Sequence, residues 1–79
     1  MPTLFAKTLV HSPHVRSFEI HSAHPGWVSV ERDDQTILQE RHHSDWGRVE
    51  RTKMRFLQEI AELRRQGWVE PSAQLPQSH

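Results

Sequence analysis

The stretch from 44 to 68 most limits what this chain can fold into, because it reads as one long amphipathic helix. At about 100° per residue its apolar side chains fall within an arc of about 120°, the width of a core-facing stripe. They are Trp46, Val49, Phe56, Leu57, Ile60 and Leu63. Ser44 is a good N-cap residue, and Gly67 followed by Trp68 is typical of a helix stop. The pattern predicts a helix that begins at Ser44, ends at Gly67 and needs an apolar partner layer.

Four stretches before the helix have the composition or the alternation of β-strands. They are residues 3–11, 15–22, 27–32 and 35–43. The first reads as an edge strand or a loosely ordered segment, whereas the second alternates with the period of two expected of a half-buried strand. Asp33-Asp34 is predicted to be the tip of a hairpin that places Val30 opposite Ile37. The sequence therefore predicts three or four antiparallel strands.

These elements predict an α+β fold, in which a three- or four-stranded antiparallel sheet is followed by one long C-terminal helix packed on one face. We expect residues 1–69 to form a single small domain and residues 70–79, which include two prolines, to form a disordered tail. The expected core joins side chains from the sheet and the helix. It comprises Phe18, Ile20, Val28, Val30, Ile37, Trp46, Val49, Phe56, Ile60 and Leu63.

The composition excludes several classes of protein. The chain has 79 residues and no cysteine, so disulfides, thiolate nucleophiles and cysteine-based zinc sites are excluded. No apolar run approaches the roughly 20 residues that a membrane span needs, and the start lacks the pattern of a signal peptide. We therefore expect a cytoplasmic protein without membrane contact. The formal net charge is zero, so no global charge draws the chain to nucleic acid, and repulsion between copies is weak.

Histidine is abundant, with seven copies, and imidazole is a ligand that zinc and nickel accept. His11 and His14 are three residues apart, and His21 and His24 repeat that spacing. Each pair lies near a predicted strand end, so the two pairs could converge on one metal ion. The competing interpretation is that all four are solvent-exposed turn residues. The pattern requires no cofactor, and we expect none.

Catalytic motifs are missing from the sequence. Histidines lie near Glu19, Glu31, Asp33 and Asp34, but a chain with 25% charged residues offers such pairs by chance. The chain has no nucleophile elbow, no HExxH motif and no glycine-rich phosphate loop. A two-layer domain of this size also rarely encloses a pocket on the order of several hundred Å³. We therefore expect a binding or interaction module and not an enzyme.

One side of the predicted helix carries a charge arrangement that the fold does not require. Arg48, Arg51 and Arg55 lie within an arc of about 60°, away from the apolar stripe. From Arg41 to Arg55 there are five basic and two acidic side chains, and Lys53 is one of the basic ones. Positive charge near a helix N-terminus opposes the helix dipole, so an anionic partner would compensate it. The alternative is a solvated face whose arginines pair with glutamates of the next turns.

The tripeptide Trp46-Gly47-Arg48 resembles the motif that names the WGR domain, a sheet-and-helix module of DNA-damage enzymes. The resemblance extends to Gly67-Trp68, because that family tends to end with glycine and an aromatic residue. In the family, however, the tripeptide lies on a strand, whereas the same segment here reads as continuous helix. The resemblance therefore assigns no family, fold or activity to the chain.

Two binding functions fit these observations. The first is contact with a protein partner or a second copy of the chain, through an edge strand with unpaired backbone groups and through the arginine face. Residues 3–11 and 35–43 are the expected edge strands. The second is nucleic-acid binding through phosphate contacts. The residues expected to contact phosphate are Arg48, Arg51, Lys53 and Arg55. Zero net charge and the lack of an aromatic platform beside the arginines favour the protein partner.

Overall fold

Four strands and one helix follow each other along the chain in the order that the sequence predicts. A computed structural model of the protein describes residues 2–71. Its elements are β1 (Thr3–His11), β2 (His14–Ser22), β3 (Trp27–Asp33), β4 (Thr36–His43) and α1 (Trp46–Arg65). Each strand pairs antiparallel with the next one, so the sheet order is β1-β2-β3-β4. The predicted α+β fold, with an antiparallel sheet and a C-terminal helix, is confirmed.

The helix α1 begins after Asp45 and not directly after Ser44, the residue predicted to cap it. Asp45 takes the cap position with an extended backbone, and its Oδ1 accepts a hydrogen bond from the Gly47 amide at 3.3 Å. A carboxylate at this position satisfies one helix amide and interacts favourably with the helix dipole. The described chain contains no helix with the length and apolar character that crossing a bilayer demands.

The helix ends as predicted, in a Schellman motif that includes Gly67. Gly67 has a φ of 103°, in the left-handed region that glycine adopts without steric cost. Its amide donates to the Arg64 carbonyl at 3.1 Å, and the Trp68 amide donates to the Leu63 carbonyl at 3.1 Å. These two hydrogen bonds define the motif, and they turn the chain back toward the sheet.

The residues after this motif attach the chain to β1. The amide of Val10 donates to the Val69 carbonyl at 2.7 Å, and the Val69 amide donates to the Val10 carbonyl at 3.0 Å. Glu70 then forms an ion pair with Lys7 at 2.9 Å. The segment predicted as a tail thus begins with a residue that is held by the sheet, and its residues 72–79 lie outside the described residues.

The core lies between α1 and the face of the sheet that β1 and β2 form. Phe18 of β2 and Phe56 of α1 are fully buried, and their ring centroids are 5.2 Å apart. Six of the predicted core residues belong to this cluster, and one further member, Leu9, is not predicted from the sequence. The cluster comprises Leu9, Phe18, Ile20, Val49, Phe56, Ile60 and Leu63.

Strand β3 presents polar residues, and not its valines, to the helix. Phe18 lies opposite Glu31, and Ile20 lies opposite Ser29. Directly opposed residues of antiparallel strands share a face, so Glu31 and Ser29 face α1 and Val30 faces away from it. Val30 is buried as predicted, but it lies outside the cluster packed against the helix. Apart from Trp27 at its start, β3 therefore presents a polar surface to the helix.

The hairpin between β3 and β4 differs in register from the prediction. Its tip is Asp34-Gln35, one residue later than predicted, and Asp34 has a positive φ of 58°. A β-bulge then shifts the register, so Ile37 pairs with Arg32 and not with Val30. Ile37 is 49% exposed and does not join the core. The bulge adds one residue to β4, which the alternation of the sequence does not reveal.

The helix crosses the sheet diagonally. Trp46 at its start packs against Trp27 at the start of β3, with ring centroids 5.3 Å apart. Trp68 just after its end packs against His11 at the end of β1, with ring centroids 5.5 Å apart. His11 lies beside the β1–β2 turn, and Trp27 lies beside the β2–β3 turn. Since these two turns are at opposite ends of β2, the two contacts lie at opposite ends of the sheet. The prediction that Trp46 belongs to the core is wrong, since it is 48% exposed at the sheet rim.

Replacing Phe56 with alanine should lower the free energy of unfolding by about 3–5 kcal/mol, because the lost ring leaves a cavity against Phe18. Phe56 is 1% exposed, and its neighbour Leu57 is 39% exposed. Leu57→Ala on the same helix is therefore the matched control and should cost about 1 kcal/mol or less. Urea unfolding followed by circular dichroism measures both variants. Equal losses for the two variants would contradict this packing.

Candidate anion-binding cleft

A surface cleft lies at the β4 edge of the sheet, beside the helix. It lies between β4 and the first half of α1, and it has a volume of about 450 Å³. Every residue in its lining is polar or charged. The lining residues are Arg41, His42, His43, Arg48, Arg51, Thr52 and Arg55. Four arginines and two histidines therefore border one open volume.

Helix geometry brings three of these arginines together. Arg48, Arg51 and Arg55 are separated by three and four residues, the spacing at which side chains share one side of a helix. With a rise of about 1.5 Å per residue, they form a row about 10 Å long. Arg41 approaches from the facing strand, because it lies opposite Ser29 on the helix side of the sheet. The cleft is thus bounded by a row of arginines on α1 and by one arginine on β4.

Most of this positive charge has no acidic counterpart. Among the described residues, no carboxylate forms an ion pair with Arg41, Arg48 or Arg51. Arg55 Nη1 lies 4.0 Å from Glu31 Oε1, at the outer limit of an ion pair. Clefts lined by charges of one sign concentrate ions of the opposite sign. The cleft is therefore suited to an anionic ligand.

The buried acidic group beside the cleft already has its own partner. Glu31 is buried on the helix side of β3, and its Oε2 accepts a hydrogen bond from Arg16 Nη2 at 2.7 Å. Arg16 Nη2 also donates to Glu59 Oε2 of α1 at 3.2 Å. A buried carboxylate needs such compensation, since an unpaired buried charge is costly. Glu31 is therefore engaged mainly by Arg16 and leaves most of the positive charge of the cleft in place.

His43 borders the cleft as a neutral side chain. It is buried, and its Nε2 lies 2.9 Å from Ser29 Oγ, within hydrogen-bond distance. Burial lowers the pKa of His43 below its usual value, and the positive charges of Arg41 and Arg48 lower it further. Near neutral pH the positive charge of the cleft therefore comes from its arginines, while His43 contributes shape and a hydrogen bond.

The structure brings together three of the four residues predicted to contact phosphate. Arg48, Arg51 and Arg55 line the cleft, whereas Lys53 does not. Lys53 is exposed. It lies two positions after Arg51, which corresponds to a rotation of about 200° around the helix axis. The predicted set therefore divides into a cleft row and one lysine on another side of the helix.

Three residues of β4 and one of α1 line the cleft without being predicted as site residues. They are Arg41, His42, His43 and Thr52. The sequence signal that points to Arg41, His42 and His43 is the excess of basic residues between Arg41 and Arg55. The sequence does not give the register of β4, and only the pairing of Arg41 with Ser29 shows that this arginine faces the helix.

The four histidines predicted to share a metal ion do not meet. His11 and His14 pair with each other at one end of β2, whereas His21 lies near its other end and His24 follows in the next loop. Seven residues of strand separate His14 from His21 by about 23 Å. Within residues 2–71, no group of three histidine, aspartate or glutamate side chains is placed to hold a metal ion. The geometry thus corrects the expectation of one shared histidine site.

Comparisons with known proteins add no assignment. No protein-family model, no curated protein and no solved structure matches this chain. The tripeptide Trp46-Gly47-Arg48 lies in the first turn of α1 and not on a strand, as the continuous helical pattern predicts. The resemblance to the WGR domain therefore stays confined to a few residues. A function has to be inferred from the geometry of the cleft.

The lowered pKa of His43 predicts a loss of stability in mild acid. Unfolding returns His43 to its usual pKa of 6.5, so the unfolded chain binds more protons than the folded chain as the pH falls through that value. The stability that depends on neutral His43 is present above the unfolded pKa. It is lost as the pH falls from there toward the lower pKa of the folded state.

We expect the free energy of unfolding to decrease between about pH 7 and pH 5, and His43→Gln to flatten this dependence. His24→Gln makes the same substitution at an exposed histidine and is the matched control. Urea unfolding at a series of pH values measures all three proteins. An unchanged slope in His43→Gln would show that His43 is not the titrating group.

Proposed function

We propose that this protein is a small nucleic-acid-binding module whose cleft between β4 and α1 holds phosphate groups. The proposal rests on one observation, the convergence of Arg41, Arg48 and Arg51 with no acidic partner among residues 2–71. Guanidinium groups form bidentate, charge-assisted hydrogen bonds with phosphate oxygens. A phosphate in the cleft would compensate a cluster of charge that the protein itself leaves uncompensated.

The shape of the arginine row favours an extended ligand over a single phosphate ion. The row on α1 is about 10 Å long, which matches about three phosphates of one strand at 3.4 Å of axial rise each. Contacts to phosphate position a protein on nucleic acid without reading its sequence. We therefore expect little sequence preference and an affinity that falls steeply as the salt concentration rises.

The alternative ligand is an acidic segment of a protein partner. The sequence taken alone favours such a partner over nucleic acid. Many protein interfaces place apolar or aromatic anchor side chains in pockets, whereas clusters of arginine also recognise acidic peptide motifs. All seven residues that line this cleft are polar or charged, so it offers no apolar pocket. This composition suits a phosphate backbone better than it suits a peptide.

The proposed role is binding and not catalysis. Ser29 and His43 share a hydrogen bond, as a nucleophile and its general base do. Ser29 is buried beneath the cleft, however, and a substrate would not reach its hydroxyl group.

In the cytoplasm, where we expect this protein to reside, RNA is an abundant ligand of the proposed class.

Replacing arginines of the cleft with glutamine should weaken the binding of an oligonucleotide. Arg48→Gln and Arg51→Gln each remove one phosphate contact, so the slope of log affinity against log salt concentration should become shallower by about 1. Lys53→Gln removes the same charge from the same helix but from outside the cleft, and it should keep the wild-type slope. Fluorescence anisotropy with a labelled oligonucleotide at several salt concentrations measures each slope.

The lysine control separates a site from a general effect of charge. Equal losses in Lys53→Gln and Arg51→Gln would contradict a cleft-specific site. No binding by the wild-type protein at about 50 mM salt would refute the nucleic-acid ligand. Tighter binding of a polyglutamate peptide than of the oligonucleotide would favour an acidic protein partner instead. Circular dichroism of each variant checks that it is folded.

A further inference from the structure

We infer that two copies of this chain pair along β4 when a nucleic-acid strand is bound, so that their two clefts join into one basic groove. This inference rests on the proposed function, because the bound strand supplies the negative charge between the clefts. Its structural basis is a difference between the two edge strands of the sheet, β1 and β4.

The edge of β1 is closed at one end by the chain itself. Val69 exchanges two backbone hydrogen bonds with Val10, and Glu70 pairs with Lys7 beside it. Among the described residues, no backbone hydrogen bond falls on the outer edge of β4. An edge with unpaired amides and carbonyls is a template for another strand. A second copy therefore finds an open pairing edge at β4.

Exposed apolar side chains lie on the same strand. Ile37 is 49% exposed and Leu38 is 52% exposed. The bulge in β4 falls at these residues, so residues 39–43 keep a regular backbone for ladder pairing. Ile37 and Leu38 adjoin this regular segment, so a second copy paired along residues 39–43 would cover part of the apolar surface that a single copy leaves in water.

Symmetry determines where the two clefts would lie. Antiparallel pairing of β4 with β4 of a second copy requires a two-fold axis perpendicular to the sheet. Such an axis leaves both helices on the same side of the joined sheet, so both clefts open in the same direction. If residues 39–43 of the two copies pair with each other, their middle residue Arg41 lies beside the axis, because paired strands are about 4.8 Å apart. The two clefts would thus form one groove across the dimer.

The positive charges of the two joined clefts repel each other, so pairing depends on the bound nucleic-acid strand. Each copy brings four cleft arginines, and in this pairing Arg41 of each copy would lie beside the axis. Like charges at short distance oppose pairing until an anion lies between them. A strand that contacts both clefts neutralises both, so binding and pairing stabilise each other. The formal net charge of the whole chain is zero, so other surfaces add little repulsion.

Binding and sedimentation with labelled oligonucleotides of two lengths test this inference. A strand of about 10 nucleotides spans both clefts, whereas one of about four nucleotides fills one cleft. We expect cooperative binding and a sedimenting dimer with the long strand, and single copies with the short one. The double variant Ile37→Lys/Leu38→Lys places charge on the β4 edge and should lower affinity for the long strand about tenfold. Its affinity for the short strand should not fall.

Leu4→Lys is the matched control, because Leu4 is an exposed apolar residue on the other edge strand. It should bind both oligonucleotides as cooperatively as the wild-type protein does. A loss of cooperativity in Leu4→Lys, but not in the double variant, would place the contact at β1 and overturn the inference. Wild-type protein that binds both lengths without cooperativity would overturn pairing and leave the proposed function intact. No binding of either length would refute the proposed function, and the inference with it.

Discussion

The packing of Phe56 against Phe18 anchors α1 over β2, and the rest of the structure depends on this contact. The helix then runs from Trp27 at one end of the sheet to Val10 at the other. A helix of 20 residues is about 30 Å long and about 10 Å wide, so on a diagonal path it covers only a band of a four-stranded sheet. The cleft lies at one side of this band, between β4 and the first half of α1.

Polar side chains on the helix side of β3 and β4 keep that region open. Glu31 and His43 are buried there, and each retains a hydrogen-bonding partner, Arg16 and Ser29 respectively. An apolar helix face placed over these groups would remove water from charges, and unpaired buried charges cost several kcal/mol. The polar pattern of these two strands is therefore compatible with a helix whose apolar stripe packs on residues of β1 and β2. It leaves space in which arginines from β4 and α1 can approach the same ligand.

Local patterns were predictable from the sequence, and strand register was not. The apolar stripe of α1 and the stop at Gly67 depend on neighbouring residues, so both were predicted correctly. The helical spacing likewise grouped Arg48, Arg51 and Arg55. The alternation in β3 is compatible with either face toward the helix, and only pairing with β2 decides between them. Because a bulge also shifts β4, the contribution of Arg41 to the cleft required the structure.

If copies of this chain pair along β4, the backbone bridge between Val69 and Val10 also limits how far they can assemble. While β1 is closed at one end, each copy offers β4 as its long open edge, and two-fold pairing through β4 produces a closed dimer. Loss of the residues after Trp68 would open β1 as well. Successive copies could then join β1 to β4 in a head-to-tail manner, which forms open fibres unless the rotation between copies closes a ring. A few residues after the helix therefore separate a finite assembly from an unlimited one.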